Sequence, residues 1–479
     1  MKASIVSNYL QQFVNIGLRF FLIPIYVDAF GLSGYGIIGF YVSLTSIFVL
    51  LDFGMGYASI KLLAESTNET KHKDIAILKK IEIIYVSISL AIALLVALSS
   101  KIIATKWLEV DDLSIETESV IKLMSALILV TWPQSLYQSF LVGQQRFMAK
   151  NFCLILSSVV ISASMFLGIK YYDFDINHYF LVMIICMILQ TIYLRHVAWS
   201  KLDKRNKFKT NSKDLRSFFS YASGVSLFSI CSLIFFQGPV VALSSLSKTS
   251  ELGIYNLSMT FPFALLSMMY PIGSVFFPKL VKVKDNKEAR VAFHYGTTLL
   301  VAFVMLGTAT VIINIDWIFS IWLGHELISE QMHKITKHLT LAILCYGTSM
   351  SVSNLLLSNG NSKQLFYAYM LALIYLAINI FGNFTTISAM YISKIWMNTA
   401  FILMTLIIFF GFLKYSFLFK KWFFCITKAL IPVACALLLF IFIYNSLPSI
   451  TNYRFFLWSF ICIVIYIPLL LFASKYYKN

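Results

Sequence analysis

Apolar stretches of about 20 residues, bounded by glycine, proline or charge, recur from one end of this chain to the other. No polar stretch between them reaches the ~50 residues that a soluble domain needs. A helix of that length just crosses the hydrocarbon core of a bilayer. In lipid, each backbone polar group must find its partner within the same helix. The chain is therefore expected to be an all-α polytopic membrane protein. Spans are placed near 5–27, 36–63, 78–100, 118–142, 151–170, 177–198, 217–245, 252–278, 291–315, 336–358, 364–386, 392–413, 422–445 and 453–473, fourteen in all. Composition agrees, with 59% hydrophobic residues, 12% charged residues and a mean hydropathy of +0.80. Only Lys2 precedes the first span and no small-residue cleavage site follows it, so this span is read as a retained helix.

The formal net charge of +17 could suggest a nucleic-acid partner, but its distribution argues for topology. Lys71, Lys73, Lys79 and Lys80 lie between spans two and three, and Arg146 and Lys150 between four and five. Arg195, Lys201, Lys204, Arg205, Lys207, Lys209, Lys213 and Arg216 mark the junction after span six, and Lys279, Lys282, Lys284, Lys287 and Arg290 follow span eight. These junctions share one side of the membrane. The opposite side carries few bases and the acidic loop Glu109, Asp111, Asp112, Glu116, Glu118. Both termini are expected in the cytoplasm by the positive-inside rule, and an even number of spans keeps the alternation intact. No nucleic-acid partner is expected.

Against this apolar background, Asn8, Gln12, Asn15 and Arg19 fall at steps of four, three and four in the first span. On a helix they form one polar stripe. An ionised group near the bilayer centre costs roughly 3 kcal/mol on insertion scales, so it is expected to face a protein interior or a wet cavity. Arg19 lies about 21 Å from the cytoplasmic end of its span and Asp52, in the returning second span, about 16 Å. They are close enough in depth to pair with each other. Equally, Arg19 can present a cation to an anionic ligand that Asp52 helps to position. Lys61 is either a snorkelling span-end lysine or a ligand contact, and Lys394 lies either in an outer loop or on a cavity. Gln237-Gly238-Pro239 should interrupt regular helix in span seven, because proline removes a backbone hydrogen bond; Gln237 then serves a kink or faces a lumen. Asn354, Asn359 and Asn361 either satisfy backbone or line a cavity.

The basic stretch 200–216 cuts the chain after six spans, and the halves on either side look related. An offset of 217 residues separates Gly36 from Gly253 and also Gly143 from Gly360. Six spans per half put both halves in the same orientation, as parallel repeats about an axis along the membrane normal. The expected organisation is an N-terminal lobe 1–199, a basic cytoplasmic linker 200–216, a C-terminal lobe 217–413 and two accessory helices in 414–479. The seven cysteines fall inside expected helices without CxxC spacing, as buried thiols do. Trp107, Trp199, Trp317, Trp322 and Trp422 sit near span ends, as an interfacial belt would. Walker A, GxSxG and HExxH signatures are absent, and His325, His333, His338 and Glu326 fit no standard metal spacing. Neither an enzyme, a metal site nor a bound cofactor is expected.

Several short pieces carry a family resemblance. They are Pro24-Ile25-Tyr26, Gly34-Tyr35-Gly36, Leu51-Asp52-Phe53-Gly54-Met55-Gly56 running into Lys61-Leu62-Leu63-Ala64-Glu65, and Leu141-Val142-Gly143-Gln144-Gln145-Arg146. In the second half come Leu252-Gly253-Ile254-Tyr255-Asn256 and Phe276-Phe277-Pro278-Lys279-Leu280. In order and spacing the chain resembles the Wzx-type O-antigen or capsule-repeat translocases. These form the polysaccharide branch of the multidrug/oligosaccharidyl-lipid/polysaccharide flippase superfamily.

The resemblance implies two six-helix lobes around a partly cationic lumen that opens alternately to either side. It implies passage of an undecaprenyl-pyrophosphate-linked oligosaccharide to the outer leaflet of a bacterial inner membrane. The polar head would cross through the lumen while the lipid tail stays in the bilayer. Arg19 and Asp52 match positions where the family carries lumen charges; at Gln237 relatives often have a charge. The substrate contacts expected are Gln12, Asn15, Arg19, Asp52, Lys61, Gln237 and Lys394, with Asp52 as the candidate for coupling to Na⁺ or H⁺. The membrane potential is a further source of drive. A polysaccharide polymerase and chain-length proteins are the expected protein partners. A cation-coupled drug or metabolite antiporter would favour several lumen acids. A membrane glycosyl polymerase or ligase would need a large outer loop, and the longest outer loops here have only about 20 residues.

Overall fold

The computed structural model describes residues 2–48, 55–65, 71–108, 116–200, 202, 230–280, 287–323, 330–383 and 387–446. These residues are almost wholly helical. Helices α1 (Lys2–Phe48), α2 (Met55–Glu65), α3 (Lys71–Leu98), the short α4 (Ser100–Ile102), α5 (Thr117–Gly143), α6 (Phe147–Tyr172) and α7 (Ile176–Trp199) come first. The short apolar helix α8 (Ile230–Leu246) precedes α9 (Thr249–Phe276). Then follow α10 (Lys287–Leu323), α11 (Glu330–Ser358), α12 (Ser362–Gly382) and α13 (Ala389–Ser446). Eleven of the described helices are long and apolar enough to cross a membrane. The all-α polytopic reading therefore stands. Span fourteen, most of the basic linker and Asp52 lie outside the described residues.

Two of these helices are pairs joined at a kink. In α1 the break is at Gly31 (φ 67°), a left-handed backbone that glycine adopts without a Cβ penalty, so the first and second spans run on from each other with hardly a loop. In α13 the break is at Tyr415. Pro239 does not break α8, contrary to expectation: helix is continuous from Ile230 to Leu246. A single proline removes one hydrogen bond, and flanking turns can hold the helix together.

The chain divides into two compact units, Met1–Gly253 and Ile254–Asn479, the division falling within α9. In the first unit α5 is the hub, packed on α2, α3 and α7, while α1 lies along α6. In the second, α11 packs against α10 and α13, and α12 covers α13. Among the candidate spans α5 and α11 are the most enclosed. Small residues make that possible: Gly347, Thr348, Ser349 and Ser351 are all buried on α11, allowing neighbours close in without a large apolar side chain between.

The turns after these two helices match. Arg146 N donates to Leu141 O (2.8 Å) and Gln145 N to Val142 O (2.9 Å), while Asn361 N donates to Leu356 O (2.8 Å) and Gly360 N to Leu357 O (3.1 Å). Gln145 (φ 58°) and Gly360 (φ 76°) share the left-handed position. The repeat therefore runs here at an offset of 215, and the equivalent of Gly360 is Gln145 rather than Gly143. Gly143 has a different reason to be glycine: a Cβ there would press on Leu63 Cβ and on the Ile60 backbone of α2.

Arg146 does more than mark topology. Its Nη1 donates to Val197 O (2.5 Å), and Gln144 Nε2 donates to Ala198 O (2.9 Å), so both cap the carbonyl end of α7. A cation there also complements the helix dipole. Trp199 and Trp422 are buried. The six described cysteines are unbridged, but Cys435 is exposed and Cys186 and Cys345 are only half-buried.

Candidate functional site

The first leg of α1 is accessible on two opposite faces. At about 100° per residue, Asn8, Gln12, Asn15 and Arg19 lie within about 60° of one another, and Leu10, Phe13, Gly17 and Phe21 centre about 180° away. Asn8 and Arg19 are exposed, and Gln12 and Asn15 are half-buried. On the other side Leu10, Phe13 and Phe21 are exposed at 56%, 66% and 58%. An exposed phenylalanine face is what lipid requires. A polar face turned directly away from it, and accessible in its own right, has the placement of a surface on a wet interior.

The stripe is anchored at its lower end, where Asn151 Nδ2 of α6 donates to Asn8 Oδ1 (2.6 Å) and to Ser7 Oγ (2.9 Å). Higher up, Asn15 Oδ1 is enclosed without a hydrogen-bond partner among the described residues. Such an acceptor is costly unless something donates to it. No carboxylate among the described residues pairs with Arg19. Its charge does act on Tyr179 of α7. Above Arg19 the same face becomes aromatic: Tyr26 stacks on Phe30 with centroids 5.7 Å apart, and both meet Tyr179 edge-on at 5.3 and 6.3 Å. Tyr26, Phe30 and Tyr179 are each buried. The polar stripe thus ends against a closed aromatic cluster.

The remaining sequence candidates are dispersed. Asp52 lies outside the described residues, and Lys61 is on α2. Gln237 is half-buried on α8 in the first unit. Lys394, in the second unit, is exposed on α13 on the same face as Phe401, Phe409 and Phe412, all exposed. Asn359 Nδ2 caps Leu280 O (2.8 Å) and Asn361 Nδ2 donates to Tyr415 Oη (2.8 Å), so both serve structure. Asn354 and Ser351 line a small, partly open pocket of about 10 Å³ with Phe276, Phe293 and Leu300. His333 reaches Asp316 at 3.3 Å and His338 meets Ser393 at 3.0 Å. No group of three metal-ligating side chains occurs among the described residues.

Sequence reasoning missed the main charged cluster of the first unit. Glu82 of α3 accepts at Oε1 from Tyr137 Oη (2.8 Å), Arg195 Nε (2.8 Å) and Trp199 Nε1 (3.1 Å). It ties α3, α5 and the end of α7 together. A short way up the same bundle, Gln190 Nε2 donates to Gln134 Oε1 (3.0 Å) and Gln134 Nε2 to Thr191 Oγ1 (2.7 Å). A signal was present: Glu82 is an acid inside an apolar run, and Tyr137, Gln134 and Gln190 are polar residues inside others.

A family model described as polysaccharide biosynthesis protein matches residues 1–284. No curated protein sequence matches the chain. Among solved structures it is similar to the lipid II flippase MurJ in an inward closed conformation, at 16% identity and a TM-score of 0.75, covering 100% of this chain and 99% of that one. It is also similar to an inward-facing multidrug resistance MATE family transporter of the MOP superfamily, at 10% identity and a TM-score of 0.68, covering 85% and 99%. A MOP superfamily transporter from Pyrococcus furiosus matches at 12% identity and a TM-score of 0.61, covering 87% and 96%. The shared fold is that of these transporters.

Proposed function

The chain belongs to the polysaccharide biosynthesis protein family, and from that premise we propose that it moves a lipid-linked oligosaccharide across the bacterial inner membrane. The observation that carries this reading is the pair of opposite accessible faces on α1, apolar at Leu10, Phe13 and Phe21 and polar at Gln12, Asn15 and Arg19. A sugar head offers many hydroxyl donors and acceptors. Amide side chains such as Gln12 and Asn15 match both, and the unsatisfied Asn15 Oδ1 can accept from one. A pyrophosphate needs cationic hydrogen-bond donors to leave water, and the guanidinium of Arg19 supplies a fork suited to it. The lipid is undecaprenyl pyrophosphate, and its tail stays in the bilayer beside the apolar face.

Basic residues concentrate on the side of Lys2, so the termini are cytoplasmic and movement is outward. An inside-negative potential favours outward passage of an anion by about 2.3 kcal/mol per charge per 100 mV. Asp52 is the candidate for adding Na⁺ or H⁺ coupling. The O-antigen or capsule repeat unit is the proposed cargo, handed to a polymerase on the outer face.

Reconstituted vesicles test this reading. The protein is expected to equilibrate a fluorescent polyprenyl-pyrophosphate oligosaccharide between leaflets, measured by its accessibility to an external glycosidase. Failure to move it, with uptake of a small organic cation driven by a Na⁺ or H⁺ gradient, would favour the antiporter reading instead.

A further inference from the structure

Within the first unit, the second leg of α1 and the first turn of α9 touch through their backbones. A Cβ built on Gly36 would overlap the carbonyl oxygen of Thr249 and lie 3.1 Å from Gly253 N. A Cβ built on Gly253 would overlap the carbonyl oxygen of Leu32 and lie 3.4 Å from Gly36 N. The contact is reciprocal. Leu32 and Thr249 are separated by the same 217 residues as Gly36 and Gly253, so each glycine meets the counterpart of the residue that its own partner meets. A self-complementary contact of this kind is what a two-fold axis between repeats produces. Any side chain at either position would hold the two segments apart.

The seam lies just beyond the Gly31 kink, past the point where the polar stripe has met its aromatic cluster. Trp107 Nε1 donates to Ser244 Oγ (3.0 Å) between the turn that follows α4 and the end of α8, and Phe40 packs edge-on against Trp107 at 5.9 Å. Backbone approach, a neutral hydrogen bond and ring packing are among the contacts of the seam. Contacts of that sort are individually weak, so a closure built from them can part and re-form.

We propose that the Gly36–Gly253 seam is the closing surface of the outer gate, sealing the polar stripe of α1 from the outer face. This rests on the orientation and on the stripe reading given under the proposed function. A leucine at either glycine should keep the gate from sealing, and the reciprocity of the contact demands that the two positions respond alike.

The test uses the full chain with its seven cysteines replaced and Asn15→Cys added, labelled in intact cells by a membrane-impermeant maleimide. Gly36→Leu and Gly253→Leu are each expected to raise outer labelling at position 15 about tenfold, as a shift of the closed–open equilibrium would. Gly17→Leu, where an added Cβ meets nothing within 4 Å, is expected to leave labelling unchanged. Membrane abundance is measured for each variant. If a leucine variant fails to accumulate, Gly36→Ala and Gly253→Ala carry the same comparison at smaller amplitude. Unchanged outer labelling in accumulated variants, or a response at one glycine and not the other, overturns the seam. A cysteine at position 15 that no water-soluble reagent reaches from either side overturns the stripe reading instead.

Discussion

Arg19→Ala is expected to lower translocation about 10- to 100-fold while leaving the chain in the membrane at its usual level, the size expected for losing one charge-assisted hydrogen bond of about 1.5–3 kcal/mol. The effect should fall on transport because the side chain is exposed and, among the described residues, carries no ion pair whose loss would unfold the bundle. Arg19→Lys keeps a point charge but loses the planar fork, and should fall between the parent and alanine. Surface polysaccharide in a strain that depends on this protein, read beside membrane abundance, gives the answer. Full polymer in the alanine variant would remove Arg19 from the mechanism.

Glu82→Leu should act on stability. The substitution strands Tyr137 Oη, Arg195 Nε and Trp199 Nε1 together, and a half-buried carboxylate that held three donors is replaced by a group that accepts none. Breaking such a cluster costs about 3 kcal/mol, which corresponds to a fall of about 3 °C in the melting temperature of the detergent-solubilised protein. Glu82→Gln retains an acceptor oxygen and should cost about half as much. Adding Arg195→Leu to Glu82→Leu should recover part of the loss, since the unpaired cation is gone. Equal melting temperatures for the parent and Glu82→Leu would mean that the cluster holds nothing together.

The contrast between these two sites shows what a sequence of this kind displays. The α1 stripe was legible because its members share one helix, and a 3.6-residue period makes their common face visible without knowledge of any neighbour. Glu82 was not, because its meaning depends on Tyr137, Arg195 and Trp199, which arrive from two other helices. Beside Lys79 and Lys80 it passes for a span-end charge, and Arg195 passes for a topology signal. The repeat was half legible for a similar reason. Gly36 and Gly253 stand out at their shared offset because close backbone approach demands glycine at both. Gly143 and Gly360 matched only in residue type: the left-handed turn position in the first half is filled by Gln145, which sequence alone gives no reason to choose. Lys394, open in the sequence between an outer loop and a cavity, lies within α13 on an exposed face shared with Phe401, Phe409 and Phe412, which only the helix shows.

The central claim is that one face of α1 lines a watery route while the opposite face meets lipid. Single cysteines at residues 10, 12, 13, 15, 17 and 19, in the cysteine-free chain, test it most directly when each is exposed to a small charged thiol reagent. The account predicts reaction at Gln12→Cys, Asn15→Cys and Arg19→Cys, and little or none at Leu10→Cys, Phe13→Cys and Gly17→Cys. Uniform reactivity along α1, or reaction confined to positions 10, 13 and 17, would contradict it.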